Sequence, residues 1–500
     1  MQQPGPNSNT STPPDGMPGG QGSSGSVSHT GATEFTENTS LSDQTYSSTN
    51  SSENALLVSG ATIDLTNPTI TKTGDDSGDD SDFYGTNAAV FAYNNAVLNI
   101  TGGTITTNGS HANAVFAYDS GTINITDTTI TTSSNNSGGV MVTGGGTLTA
   151  TNLTVETSGN SSAPIRSDRG GGTLTVEGGN YTSNGVGSPA IYSTANIIVN
   201  NATLISNASE GVVIEGLNSV TLENTTVTDT NTTLNGNSET YKNIFIYQSM
   251  SGDAETGTGT FTAKNSTFTT NQGDHFFITN TTAIINLISN KFINNDSAGA
   301  FLRAQSGKWG TSGSNGGNVT LNATTQEIIG DIIIDSVSSL NVNLTESYFK
   351  GTITNDGTVN LTLDADSIVV LTGDSYLTTL TNADANNTNI YANGYTLYVA
   401  GQAISINQGA APESFIGNGS DVTTGEIEDV TSTNGTTSGI NVPLLVGCIV
   451  GGIIIVSAII LLIIKLAHRR KQPQNPNIVI DNQSNQSNQA NETQNPTNKQ

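Results

Sequence analysis

Between Ala89 and Gly299 the apolar positions recur as a unit about every 25 residues, which is the mark of a solenoid. AVFAYNNAVLNITGGTIT starts at Ala89 and AVFAYDSGTINITDTTIT at Ala114, and six further versions of the unit follow. Aligned, they give one apolar column of Ile105, Ile130, Val155, Tyr181, Leu204, Val227, Phe268 and Phe292. Five residues earlier stand Ile100, Ile125, Ala150, Val176, Val199, Leu222, Ala263 and Leu287, and two before those Leu98, Ile123, Leu148, Leu174, Ile197, Val220, Phe261 and Ile285. Thr and Asn fill most positions between. Apolar residues two apart, a break, then another apolar residue is strand alternation, not helical spacing. A third column opens each unit: Val90, Val115, Val140, Ile165, Ile191, Val212, Ile244, Phe276 and Phe301.

Each unit therefore predicts three short strands, each with one inward face. Stacked in register they make three parallel sheets around a dry core, which is an all-β, right-handed parallel β-helix. Insertions near Asn231 to Tyr241 and Met250 to Thr258 fit loops leaving coil corners. About 12 to 14 coils would stand roughly 60 Å tall at one sheet spacing per coil.

The pattern divides the chain. Residues 1–54 are rich in Gly, Pro, Ser, Thr and Asn and are expected to stay disordered. Residues 55–408 are the β-helix, with 55–87 as its first coil and 336–408 as last coils plus a cap. Residues 409–441 read as a flexible stalk. Residues 442–464 are almost wholly apolar and long enough for a single transmembrane helix. Lys465, His468, Arg469, Arg470 and Lys471 follow at once, which puts the Asn/Gln-rich tail, 465–500, in the cytoplasm. The β-helix would then face outward from the plasma membrane on a single-pass anchor.

Export of so long a segment needs an N-terminal signal, and residues 1–54 display no charged stretch followed by an apolar one. A missing N-terminal piece explains this; a tail-anchored solenoid in the cytosol is the alternative. Abundant N-x-S/T sequons before the apolar segment favour the outside placement and glycosylation.

Composition narrows the function. Charged residues make up 11 %, and the formal net charge is −27 with only 14 Lys and Arg. Such a chain is a poor partner for nucleic acid phosphates. Its one cysteine, Cys448, lies in the apolar segment, so the expected ectodomain has neither disulfides nor thiolate zinc sites. No cofactor is expected. The carboxylates of Asp75, Asp76, Asp79, Asp80 and Asp82 offer hard oxygen ligands for Ca²⁺, but their spacing is not that of an EF-hand, and a solvated corner loop explains them as well.

Segments such as SDFYGTNAAVFAY, NNSGGVMVTGGGTL, SAPIRSDRGGGTLTV, GSPAIYSTANIIVNNATL and YKNIFIYQSMSGDAE resemble adhesin-like bacterial surface proteins of the pectate-lyase-like β-helix superfold. Phe268 to Asn271 and Phe292 to Asn295 also match the F-x-x-N repeats of polymorphic membrane proteins, whose companion G-G-A-I motif is absent. The resemblance implies the β-helix fold, and adhesion as a role.

In that superfold ligands lie along one sheet's outer face. Here the third column has an outer row of Phe91, Phe116, Met141, Arg166, Tyr192, Val213, Phe245, Phe277 and Leu302. Two residues on stand Tyr93, Tyr118, Thr143, Asp168, Thr194, Glu215 and Tyr247. An apolar and aromatic strip is either an interaction site or a surface covered by the chain's own loops. Rings stack on sugar faces while Arg and acidic groups orient hydroxyls. The candidate groove is Phe91, Phe116, Tyr118, Arg166, Asp168, Arg169, Tyr192, Glu215, Phe245 and Tyr247, taking an extracellular glycan or protein ligand. The opposing expectation is that insertions pack over the strip and Arg166 pairs structurally with Asp168.

A polysaccharide lyase or glycoside hydrolase is the runner-up. Its best carboxylate pair, Asp168 and Glu215, would lie two coils or roughly 9 to 10 Å apart, at the long edge for an inverting hydrolase. The N-T-D, G-H-G and R-x-K sets are absent from residues 55–408, and the isolated His275 reads as structural. T-x-T pairs at Thr104/Thr106, Thr129/Thr131, Thr226/Thr228 and Thr267/Thr269 raise ice binding, but intervening coils break the array, and Thr is a good strand residue anyway.

Overall fold

The computed structural model describes residues 27–235 and 240–413. The expected membrane span at 442–464, the tail at 465–500 and most of the expected stalk at 409–441 lie outside them. Among the described residues no helix is long and apolar enough to cross a membrane.

The chain is all-β, with long parallel sheets, and it fits a β-helix solenoid. One sheet has 13 strands, running from Gly31–Phe35 through Asn54–Ser59, Val90–Tyr93 and Val115–Tyr118 to Ile353–Asn355. Each strand pairs in parallel with the equivalent strand of the next coil, for example Val115 with Val90 on one side and Val140 on the other. The other two strand columns join into one 22-stranded sheet rather than staying separate. In Gly146–Thr157 and Gly172–Ser183 they are a single strand of 12 residues each. A 4-stranded sheet and a 3-stranded sheet complete the C-terminal coils. Among the described residues the last strands, Leu397–Val399 and Gln402–Ala403, pair antiparallel at the C-terminal end of the stack, where a parallel edge would stay open.

The inward columns bury as the alternation predicts. Ile105, Ile130, Tyr181, Leu204, Val227 and Phe268 are fully buried, each over its counterpart in the coil below. One more inward row is polar. Ser48, Lys72, Thr107, Thr132, Thr157, Ser183, Ser206, Asp229 and Thr270 are buried at the end of the same strands. Several bond the corner that follows, as Thr132 Oγ1 does to Ser137 O at 2.6 Å and Ser206 Oγ to Ser209 O at 2.9 Å. The polar row thus satisfies carbonyls where the chain leaves the sheet.

Asparagine has a second use. In five coils the corner between the second and third strands holds a left-handed Asn, with φ of 54° at Asn67, 52° at Asn152, 56° at Asn201, 51° at Asn224 and 50° at Asn265. Asn tolerates this conformation better than most residues. Its amide also reaches the coil below, as Asn67 Nδ2 does to Asp43 Oδ1 at 2.8 Å.

Two expectations need correction. Residues 31–54 do not stay unfolded: Gly31–Phe35, Thr39–Ser42 and Thr45–Ser48 form a complete coil, and 55–87 belongs to the second. Serine and threonine dominate this coil, so its few apolar residues, Phe35, Leu41 and Tyr46, carry the inward face. The outer row also ends one residue later than its apolar pattern predicts. Leu302 pairs with Phe276 and is buried in the core, while Arg303 pairs with Phe277 on the outer row.

Candidate functional site

The outer row of the 13-stranded sheet runs in register from Leu57 through Phe91, Phe116, Met141, Arg166, Tyr192, Val213, Phe245 and Phe277 to Arg303. It is not an open strip. The segment 73–89, with a five-residue helix at Asp79–Phe83, lies over its first part. Leu57, Ala88, Phe91, Phe116 and Met141 form an apolar cluster of their own, separate from the solenoid core. Gly85, at φ 72°, lies so close to Phe91 and Phe116 that a Cβ would meet the Phe91 ring at 2.6 Å. Thr143 Oγ1 holds the segment by donating to Phe83 O at 2.7 Å. His29 stacks on Phe91 at 4.5 Å, and burial lowers its pKa to about 4, so it is neutral there. Phe91 and Phe116 are therefore structural, and Tyr118 packs edge-on to Tyr84 at 5.9 Å.

The acidic residues of this segment serve the same covering. Asp76 accepts from Ser52 and Ser81 hydroxyls and from Ser77 N, each at 2.7 Å. Burial alone would raise its pKa, but these bonds hold it below the ordinary value. Asp75 accepts from Ser110 N at 2.8 Å, Asp79 and Asp80 open the helix, and Asp82 pairs with His111 at 2.9 Å. Among the described residues no three His, Cys, Asp or Glu side chains converge to hold a metal. Asp75, Asp76 and Asp82 are thus engaged in the hydrogen bonds of this cover, and Asp79 and Asp80 stand in its helix.

Beyond the cover lies a cleft of about 480 Å³, walled by Phe83, Asn136, Arg166, Asp168, Tyr192, Asp253 and Trp309 among others. Arg166 and Asp168 are both buried and pair at 3.1 Å, as the structural alternative expected. Arg166 also donates to Ser161 O at 3.3 Å. Burial, reinforced by nearby Asp253, pushes Asp168 up to about 6 despite Arg166. Arg169 lies 3.8 Å over the Phe83 ring and donates to Asp253 at 2.7 Å. It thereby ties the cover to the insertion 248–257. A wider hollow of about 950 Å³ lies beyond this tie, walled by Tyr84, Tyr118, three glycines at 170–172 and Asn218, and Asp253 borders both. It holds Arg169, Asp253 and Glu255 beside the glycines, but none of Arg166, Asp168, Tyr192 and Tyr247, which line the smaller cleft.

Glu215 does not face the cleft. It is 1 % exposed and accepts from Tyr192 at 2.7 Å, Tyr247 at 2.9 Å and the Ser249 hydroxyl. Its role is to hold two rings and the insertion in place, and burial beside its carboxylate raises both tyrosine pKa values well above 10. Asp168 and Glu215 therefore do not form a carboxylate pair across a shared ligand. Phe245 has Tyr247 stacked at 4.3 Å and the Lys242 ammonium 4.5 Å from its ring centroid. Lys242 in turn pairs with Glu210 at 3.1 Å, and burial's upward push on Glu210 is outweighed by Lys242 and Ser209, leaving it below its usual range.

Of the predicted residues, Arg166, Asp168, Tyr192, Phe245 and Tyr247 meet at the cleft, with Arg169 and Glu215 shaping it from behind. Phe83, Asn136, Asp253 and Trp309 were missed, and Asp82 was singled out only as a carboxylate that could hold Ca²⁺. Phe83, Asp253 and Trp309 sit outside the repeat pattern, so column alignment is blind to them; the insertion boundaries were the usable signal. His275 is buried as expected, with Nδ1 2.7 Å from Thr270 Oγ1 and a pKa lowered to about 4 by burial. No family model, curated protein or solved structure matches the chain.

Proposed function

We propose that this chain is an adhesin-like cell-surface protein whose right-handed β-helix binds a glycan in the cleft over the 13-stranded sheet. The observation that carries this reading is the cleft itself: ring walls from Tyr192, Tyr247 and Trp309 beside the amides of Asn136 and Asn235, held between two of the chain's own insertions. Aromatic faces with a few placed polar groups suit a sugar ring. The apolar stretch 442–464 and its basic flank support a single-pass anchor that leaves the solenoid outside and the tail 465–500 in the cytoplasm.

Trp309 is the chain's one tryptophan and stands in a loop, 6.1 Å from Tyr247. Trp309→Ala is expected to weaken glycan binding by about tenfold or more without unfolding the sheets. Screening the full chain and the variant on immobilised oligosaccharides checks this. Equal binding by both proteins removes the cleft from the account.

Asp168 favours a second reading, as a hydrolase. A carboxyl with a pKa near 6 in a cleft can hold a proton for a leaving group. Release of reducing ends that Asp168→Asn abolishes would establish it over binding alone.

A further inference from the structure

We infer that the cleft accepts uncharged sugar chains and rejects those bearing carboxylates or sulfates. This deepens the glycan reading and rests on it.

The walls of the cleft carry four carboxylates, Asp82, Asp168, Glu210 and Asp253, against one guanidinium, Arg166. Two further cations stand at its edge, Arg169 and Lys242. Each of the three is already engaged with a carboxylate: Arg166 with Asp168 at 3.1 Å, Arg169 with Asp253 at 2.7 Å and Lys242 with Glu210 at 3.1 Å. Asp82 has His111 at 2.9 Å.

An acidic sugar entering this space would have to take a cation from its partner. For Arg166 and Lys242 that leaves a buried carboxylate, Asp168 or Glu210, uncompensated beside the incoming one, an arrangement that low-dielectric surroundings penalise heavily; the more exposed Arg169 still has to part from Asp253. The field of the whole chain, at −27, opposes a polyanion even before contact. Neutral hydroxyls meet neither obstacle. They bond to carboxylates and amides as donors and acceptors, and the ring walls take their C–H faces. The ion pairs thus act as fixed acceptors for hydroxyls, and rejection of acidic chains is built into their closure.

The test uses the full chain and three immobilised oligosaccharide sets of equal length: uncharged hexose oligomers, oligogalacturonates and sulfated oligomers. Binding to the uncharged set at least about tenfold tighter than to either acidic set is expected. The Asp253→Asn variant frees Arg169 and is expected to gain about tenfold in oligogalacturonate binding. Circular dichroism confirms that it folds; if it does not, Asp82→Asn, which also lowers the negative charge of the wall, takes its place with the same expectation. Acidic chains binding as well as neutral ones, or no gain in the variant, overturns the inference and leaves the glycan reading standing. No binding to any set, with the protein folded, brings down the glycan reading and this inference with it.

Discussion

Phe276→Ala is expected to destabilise the solenoid by about 3–5 kcal/mol, the range for a large aromatic side chain removed from a closed core. Phe276 is fully buried and meets Phe261 at 5.6 Å, Phe292 at 5.7 Å and Phe301 at 5.5 Å between ring centroids. These rings come from neighbouring coils and from different strand columns, so the void cannot close by moving one strand. A stack in which coils touch only their neighbours should feel the loss locally. Amide exchange should rise in the coils around 261–301 and stay slow near Ile105 and Ile130. Urea unfolding together with exchange mapping measures both effects. The adjacent Phe277→Ala, on the outer row, should cost distinctly less. Equal losses for the two would mean that Phe277, itself only 6 % exposed, is packed as tightly as the core.

Asp229→Asn is expected to stabilise the protein above neutral pH. Asp229 stands in the inward polar row and is 1 % exposed. One oxygen accepts from Asn231 N at 2.7 Å, and the other has no partner. Burial raises its pKa from 3.8 to about 8, and Glu210 and Lys242 act in opposite senses, being themselves a pair. The folded state therefore holds a proton that the unfolded chain gives up. The stability this proton contributes is fully present below about pH 4 and is lost as pH rises through 8. Each pH unit in that window costs about 1.4 kcal/mol at most. Asparagine fills the same space without the titration. Wild type and variant should match near pH 4.5 and differ by several kcal/mol at pH 8.5, on the order of 3–5. Urea melts at the two pH values decide the matter. A difference that does not change with pH would show that Asp229 is ionised or solvated in the fold.

The apolar columns made most of this fold legible. Ile105 over Ile130 over Val155 needs nothing beyond strand alternation and a fixed repeat, and the sheet register follows it. Failures came where polar residues do the work of apolar ones. The coil at 31–48 hides because Ser and Thr carry its strands, and the inward row through Thr107, Thr132 and Ser183 looks like surface in a sequence this rich in both. The candidate site was legible only in its floor. Arg166, Asp168 and Tyr192 share a face by register, which the repeat reveals. Whether that face is open depends on where insertions land. Phe83 over Arg169, and Asp253 opposite it, are contacts between segments far apart in sequence, and no periodicity encodes them. Leu302 illustrates a finer limit, since two adjacent apolar residues, Phe301 and Leu302, let the alignment slip by one and exchange an inward residue for an outward one.

Spin-label distances along one outward column test the stacking most directly. Thr69, Thr104, Thr129, Thr154, Thr203, Thr226 and Thr267 fall in one row of the 22-stranded sheet, with Asn180 between Thr154 and Thr203. With Cys448 replaced by Ser, label pairs at Thr69/Thr154 and Thr69/Thr226 should separate by about 14 and 29 Å, at roughly 4.8 Å per coil. Thr69/Thr267 should add only one further coil spacing, despite the two insertions between Thr226 and Thr267. Narrow distances that rise linearly with coil number are the expected result. Distances that follow residue number instead, or that spread without a peak, would contradict the in-register coils on which the cleft depends.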